Sequence, residues 1–258
     1  MIDIKNPHEL EVMTEGGKIL SDVLHEVVRY AKPGVTEIEL DKMAEKLIRS
    51  RGGEPGFMKV PGYKYTVCVS TNDAVVHGIP TVYALKEGDV IGIDCGVYLK
   101  GFHTDMSETV RIKSKTPNLK SQYDEVDKFL DAGKRALEEA IAVAKPGNHI
   151  GHISKTIQDV VEKEGGYSIV RSLIGHGVGR KLHEEPEVPG FLAGKIEKTP
   201  KLVPGMTIAI EVIYNMGKPD VIYSNDDGWT IKTKDGSLSG VFERTVAVTL
   251  EGPKVLTP

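Results

Sequence analysis

The chain has 258 residues, of which 40% are hydrophobic and 27% charged, with 28 glycines; this composition excludes collagen, coiled coil and a disordered polymer. Its 33 basic and 37 acidic side chains leave a net charge of −4, which gives no general attraction to nucleic acid or to an anionic membrane surface. Cys68 and Cys95 form no CxxC, the N-terminus has no basic-then-apolar leader and no apolar run approaches ~18 residues, so a cytoplasmic protein without disulfides or thiolate zinc is expected.

Asn6-Pro7 supplies the N-cap and first turn of a helix with apolar positions at Leu10, Met13, Ile19, Leu20, Val23, Leu24 and Val27, stopping near Lys32-Pro33-Gly34. Thr36, with Glu39 three residues on, opens a second helix that runs to Gly52-Gly53. Residues 31–53, AKPGVTEIELDKMAEKLIRSRGG, recur at 144–166 as AKPGNHIGHISKTIQDVVEKEGG, each after another expected helix. Downstream, His77-Gly78-Ile79-Pro80 is matched by His183-Glu184-Glu185-Pro186. The strand-like run from Gly88 to Asp94 is matched by that from Gly205 to Glu211. Three matches in one order imply an internal duplication. A length between one ordinary domain and two then reads as a single domain, 1–258, with halves at about 1–115 and 116–258.

Residues 89–110 read as a hairpin turning at Leu99-Lys100-Gly101. With Leu99-Lys100 as the loop, Tyr98 faces Gly101 and Asp94 stands directly opposite Asp105. Two carboxylates so placed repel, and a bound divalent cation is the simplest compensation. Cys95 points to the other face and is structural. Glu211 ends a strand over 206–210, and Glu243 interrupts the β-branched run 241–248. A buried carboxylate must be paired, hydrogen-bonded or metal-bound. In Gly175-His176-Gly177-Val178-Gly179 the glycines clear the backbone around one imidazole, seven residues before His183. Four carboxylates and one imidazole suit two cations such as Mn, Fe(II), Co or Zn, and not a soft thiolate centre.

Asp94, Asp105, His176 in GHGVG, Glu211 and Glu243, with the segments 72–80 (NDAVVHGIP) and 227–237 (DGWTIKTKDGS), resemble the type I methionine aminopeptidases of the pita-bread metallopeptidase superfamily over nearly the whole chain. The resemblance implies an α+β pita-bread (creatinase/aminopeptidase) fold: two pseudo-symmetric halves, a central antiparallel sheet and flanking helices. It implies removal of the initiator methionine from nascent proteins when the second residue is small, by water activated at two divalent metal ions. Asp105 and Glu243 would bridge the ions, Asp94 would complete one site, and His176 with Glu211 the other. Glu211 would accept the water's proton, while His77 and His183 would hydrogen-bond the scissile amide and the developing oxyanion. Tyr63, Cys68, Phe57 and Trp229 would line an apolar pocket for the methionine side chain. Val212 stands where the family usually has proline and Arg244 where histidine is common. Val60 and Phe57 lie where the bacterial type often carries tyrosine and cysteine; these departures bear on pocket shape and leave the ligands untouched.

The implied partners are nascent polypeptide N-termini, with a transient ribosome contact through the catalytic domain's own surface, no specific nucleic acid, no membrane, and a monomeric chain. An Xaa-Pro dipeptidase or aminopeptidase of the same fold shares the ligands but usually adds an N-terminal domain, whereas this catalytic unit starts almost at Met1. A pita-bread binding protein would typically lose ligands and gain basic surface, and this chain keeps every ligand and is acidic.

Overall fold

Asn6 caps the first helix in the computed structural model of the chain, which describes residues 2–113, 124–224 and 227–258. Its side chain accepts from the Glu9 N–H at 3.0 Å, and the Glu9 carboxylate accepts from the Asn6 N–H at 2.9 Å. Helix α1 (Pro7–Tyr30) follows and stops just before the Lys32-Pro33-Gly34 turn. The Glu39 carboxylate takes both the backbone N–H and the hydroxyl of Thr36, each at 2.7 Å, and opens α2 (Glu37–Ser50). Then come β1 (Glu54–Pro55), β2 (Val67–Thr71), β3 (Ala74–Val76) and the long strands β4 (Val90–Leu99) and β5 (Phe102–Arg111).

The second part repeats two helices: α3 (Glu125–Ala142) and α4 (Ile150–Gln158), the latter continuing as a π-helical stretch over Asp159–Glu164 where α2 stays α-helical. Strands β6 (Ser168–Ile169), β7 (Gly175–Gly177), β8 (Glu184–Val188), β9 (Thr207–Asn215), β10 (Val221–Tyr223), β11 (Ile231–Thr233), β12 (Ser239–Thr249) and β13 (Gly252–Val255) complete it. β9 therefore runs past Glu211 for four more residues, because the apolar alternation continues through Val212, Ile213 and Tyr214. The boundary expected at 115/116 lies outside the described residues. Among those residues no helix is long and apolar enough to cross a membrane.

The two AKPG turns make the same hydrogen bonds. Gly34 N–H donates to Leu85 O at 2.8 Å and Leu85 N–H to Val35 O at 2.8 Å. Gly147 N–H donates to Leu202 O at 3.0 Å and Leu202 N–H to Asn148 O at 2.7 Å. Gly34 and Gly147 have φ of +91° and +89°, the left-handed region that glycine enters without strain.

The strands form a ten-stranded antiparallel sheet with the path β1-β4-β5-β12-β9-β7-β8, and a small sheet β10-β11-β3. All four helices cover one face of the large sheet. α1 and α2 pack Leu20, Leu24, Leu40 and Ile48 on Ile91, Ile93, Cys95 and Val97. α3 and α4 pack Phe129, Leu137, Ile153 and Ile157 on Ile210, Val212, Phe242 and Val246. Cys95 thus faces away from Asp94, as strand alternation requires.

The β4–β5 register differs from the expected one. Lys100 and Gly101 are the turn residues, with φ of +47° and +96°, a two-residue type I′ turn, and Leu99 pairs with Phe102. Asp94 consequently faces Ser107, and Asp105 faces Gly96. The two acids keep the same face but stand as diagonal neighbours, which relaxes their repulsion.

The two halves meet along β5 and β12, whose register pairs are Glu243 with Ser107 and Arg244 with Met106. Beyond these pairs, threonine hydroxyls on either side bridge the strands. Thr245 Oγ1 accepts from Asp105 N–H at 2.9 Å and donates to Asp105 O at 2.8 Å. Thr109 Oγ1 accepts from Val241 N–H at 2.8 Å and donates to Val241 O at 2.7 Å. On the helix side of this seam Arg244 pairs with Glu108 and donates to Ser107 O at 3.3 Å. Thr245→Val should destabilise the protein by about 1–3 kcal/mol in urea unfolding, because it leaves buried backbone groups of Asp105 without partners. An unchanged midpoint would show that the hydroxyl is dispensable to the seam.

Candidate metal centre

Alternation and register place the site on the sheet face opposite the helices, in two rows. In the first, Cys68 of β2, Asp94 of β4, Ser107 of β5, Glu243 of β12 and Glu211 of β9 are successive cross-strand partners. In the second, two residues along each strand, Gly96 faces Asp105, Asp105 meets the Thr245 hydroxyl, Thr245 faces Ala209, and Ala209 faces His176 of β7. β7 approaches this closely because its flanking residues lack side chains: a Cβ at Gly175 would overlap the Ala209 carbonyl, and one at Gly177 the Glu185 carbonyl.

All five expected ligands converge. Asp105, His176 and Glu243 offer ligand atoms that lie within 4.8 Å of one another. His176 Nε2 is 3.4 Å from Glu211 Oε1 and 4.0 Å from Asp105 Oδ2. Asp94 and Asp105 present their carboxyl groups to one another on this face, and Met106 N–H donates to Asp105 Oδ1 at 3.1 Å. Burial pushes the Asp94 carboxyl up to about 7, and pushes Asp105, Glu211 and Glu243 well above the usual carboxylate range, with the charge of Asp94 adding to each of these three. Burial, assisted by His183, lowers His176 to about 4, so its imidazole is neutral near pH 7.

The donor set fits divalent cations. Among the described residues Asp94 Oδ1 and Glu243 Oε1 are buried without a hydrogen-bond partner. His176 Nδ1 lies 2.9 Å from the Gly177 carbonyl, which can only accept, so the proton sits on Nδ1 and the Nε2 lone pair faces the carboxylates. Four hard oxygen donors and one neutral imidazole would hold Mn, Fe(II), Co or Zn.

A cavity of about 120 Å³ adjoins this cluster, walled by Phe57, Val60, Tyr63, Cys68, Leu182 and Trp229, with His77 and His183 on the same lining. Tyr63 meets Phe57 and Trp229 edge-on, at centroid distances of 6.4 and 5.1 Å. The Tyr63 hydroxyl is already engaged, donating to Val67 O at 2.8 Å and lying 3.1 Å from Cys68 Sγ. His77 has φ of +57°, a left-handed conformation that costs a non-glycine residue energy. Desolvation, then His183, lowers the His77 imidazole, and desolvation lowers that of His183. An open groove of about 760 Å³ leads outward past His77, His183, Glu185 and Glu187. Each of the expected pocket residues is therefore present in one cavity. Sequence reasoning missed Leu182, although it immediately precedes the HxxP histidine. It also missed Ser107 and Thr245, which complete the rows as uncharged partners. Val212 and Arg244 both point to the helix face, Val212 into the core beneath α3 and α4 and Arg244 to Glu108 and the Glu243 carbonyl, which it meets at 2.8 Å, so neither side chain stands among the ligand atoms.

Residues 11–250 match the family model of metallopeptidase family M24. A methionine aminopeptidase from Clostridium perfringens is 41% identical over 257 residues, covering 100% of this chain and 99% of its own length. The crystal structure of a methionine aminopeptidase from Thermotoga maritima superposes with a TM-score of 0.92 at 35% identity, covering 100% of this chain and 99% of that one. A prolidase from Pyrococcus furiosus shares the fold, with a TM-score of 0.76 at 22% identity, over 99% of this chain and 65% of its own. The architecture is the pita-bread fold.

Because the carboxyl pKa values are raised in the folded state, the cluster stabilises the metal-free protein most below the unfolded value of about 4. This contribution is lost as pH rises through about 7. Chelated protein should therefore melt progressively lower across this window. Asp94→Asn should flatten that slope, and the rise in melting temperature on adding Mn(II) should grow with pH. Identical slopes in wild type and Asp94→Asn would refute the coupling.

Proposed function

Because the chain belongs to metallopeptidase family M24, among the methionine aminopeptidases, we propose that it hydrolyses the first peptide bond of chains beginning with methionine and a small second residue, at a centre of two divalent cations. It is a metal-dependent aminopeptidase, and therefore a hydrolase. The observation that carries the mechanistic reading is the double row of acids with two orphaned oxygens, opening directly into a small apolar cavity.

Asp105 and Glu243, the acids that stand on the two strands of the seam, would hold both cations together with Asp94 on one side and His176 with Glu211 on the other. When bound, the cations supply an activated water and a Lewis-acid hold on the substrate's free α-amino group. Glu211, whose burial makes its carboxylate more basic than usual, would be ionised with the cations in place and would then take the proton of the attacking water. His77 hydrogen-bonds the scissile amide and His183 the developing oxyanion. At the aromatic end of the cavity the Tyr63 hydroxyl is engaged by Val67 O and lies against Cys68 Sγ, so the wall there is largely apolar. The cavity therefore favours an unbranched thioether over polar or charged side chains.

The substrates are nascent polypeptide N-termini in the cytoplasm, met by a monomeric chain through its own catalytic-domain surface, including any transient ribosome contact. The matched turns at Gly34 and Gly147 support one domain built from two related halves. Chelated, dialysed protein should cleave Met-Ala-Ser only after Mn(II) or Co(II) is restored; full activity in rigorously metal-free protein overturns the mechanism. Xaa-Pro peptides should be poor substrates in the same assay. Glu243→Ala should abolish turnover without lowering the stability of the metal-free protein, since it deletes a buried acid whose Oε1 has no partner.

A further inference from the structure

We propose that Lys5 and Glu184 are positioning residues for His183, their buried ion pair holding the turn that carries the imidazole. The proposal rests on the reading of His183 as donor to the developing oxyanion.

The Lys5 side chain is 1% exposed, and its Nζ lies 2.5 Å from Glu184 Oε2 and 3.4 Å from Asp3 Oδ2. A lysine so deep is held in place by its charge partner. Its backbone is anchored as well: Lys5 N–H donates to Gly205 O at 2.8 Å, and the next residue is the N-cap of α1. The second carboxylate oxygen of Glu184, Oε1, accepts from Lys181 N–H at 2.9 Å. One carboxylate thus receives the ammonium and closes the turn 179–184.

The far side of the turn is pinned by Gly179, whose N–H donates to Lys181 O at 3.0 Å and whose carbonyl accepts from His103 N–H at 2.6 Å. A Cβ at Gly179 would overlap Lys5 Cε and Nζ and crowd Glu184 Oε2, so a side chain there would displace the end of the lysine from its partner. His183 sits between these anchors, next to Glu184 in the chain, with its ring 4.4 Å from that of His176. Arg180 adds a second clasp from the same turn to Glu9 of α1. Lys5 does not line the catalytic cavity, so it acts on turnover through where it holds His183. A displacement of ~1 Å at such a donor costs up to about a hundredfold in rate.

The test uses Mn(II)-loaded enzyme and Met-Ala-Ser, with Lys5→Met and Glu184→Gln each made in the parent and in a His183→Ala background. Melting temperature and bound manganese are measured alongside. In the parent, each variant should lower kcat about tenfold or more with KM within about twofold and manganese content retained. In the His183→Ala background each should cost under about twofold, because nothing remains to be positioned. Gly179→Ala should behave like Lys5→Met. Equal losses in both backgrounds, or parental kcat in the folded single variants, overturn the proposal. A His183→Ala enzyme as active as its parent overturns the reading of His183 itself. If Lys5→Met does not fold, Glu184→Gln carries the test, since it keeps the size of the side chain and the acceptor for Lys181 N–H.

Discussion

Four carboxyl groups gathered on one patch of sheet oppose their own assembly, and the fold is organised around holding them there. Each would leave the cluster if its backbone could move, since burial and mutual repulsion both favour separation or protonation. The strands prevent this. β4, β5, β12 and β9 are contiguous in the sheet, and every residue that follows an acid in the chain is committed to the other face: Cys95, Met106 and Val212 to the cores beneath the helices, Arg244 to its ion pair with Glu108. The apolar packing of four helices on one side thus fixes the position of unfavourable charge on the other. Protons stabilise that charge without metal, and divalent cations do so in the reading proposed for the active protein.

The chemistry of the site was more legible in the sequence than its geometry. An acid that interrupts an apolar strand is visible as a break in alternation, and Asp94, Glu211 and Glu243 are such breaks. The hairpin register was not legible, because Lys100 takes a left-handed conformation usually marked by Gly, Asn or Asp, and the turn lies one residue later than the composition suggests. The extent of β9 was hidden because Glu211 looked like a strand end rather than a functional interruption. Ser107 and Thr245 carry no signal in isolation, since their importance comes from what stands across from them. The ion pair between Lys5 and Glu184 joins residues 179 apart and could not be read from local pattern at all.

The seam between halves is where sequence and mechanism meet. Asp94 and Asp105 come from the first half, and His176, Glu211 and Glu243 from the second. Thr109 and Thr245, one from each side of the seam, insert hydroxyls into the β5–β12 junction on either side of the Glu243–Ser107 pair. The seam is therefore held by backbone pairing at its middle and by side-chain hydroxyls at its flanks. A cation shared by Asp105 and Glu243 would bind residues of both halves, so its affinity and the integrity of the seam are thermodynamically linked.

Specificity follows from the same geometry. Cys68 is the cross-strand partner of Asp94, so the wall of the apolar cavity is the next position in the row that holds the acids. Neighbouring strands are ~4.8 Å apart, which makes the step from the Asp94 backbone to that of Cys68 a single strand spacing. In the reading proposed above, a substrate whose amino group is held at the cluster would direct its first side chain into that cavity and its first peptide bond toward His77 and His183, which share its lining. The sheet thereby sets one distance for both recognition and cleavage. In that reading a side chain that cannot enter the cavity would leave the bond out of reach of both histidines, which would couple the choice of methionine to turnover.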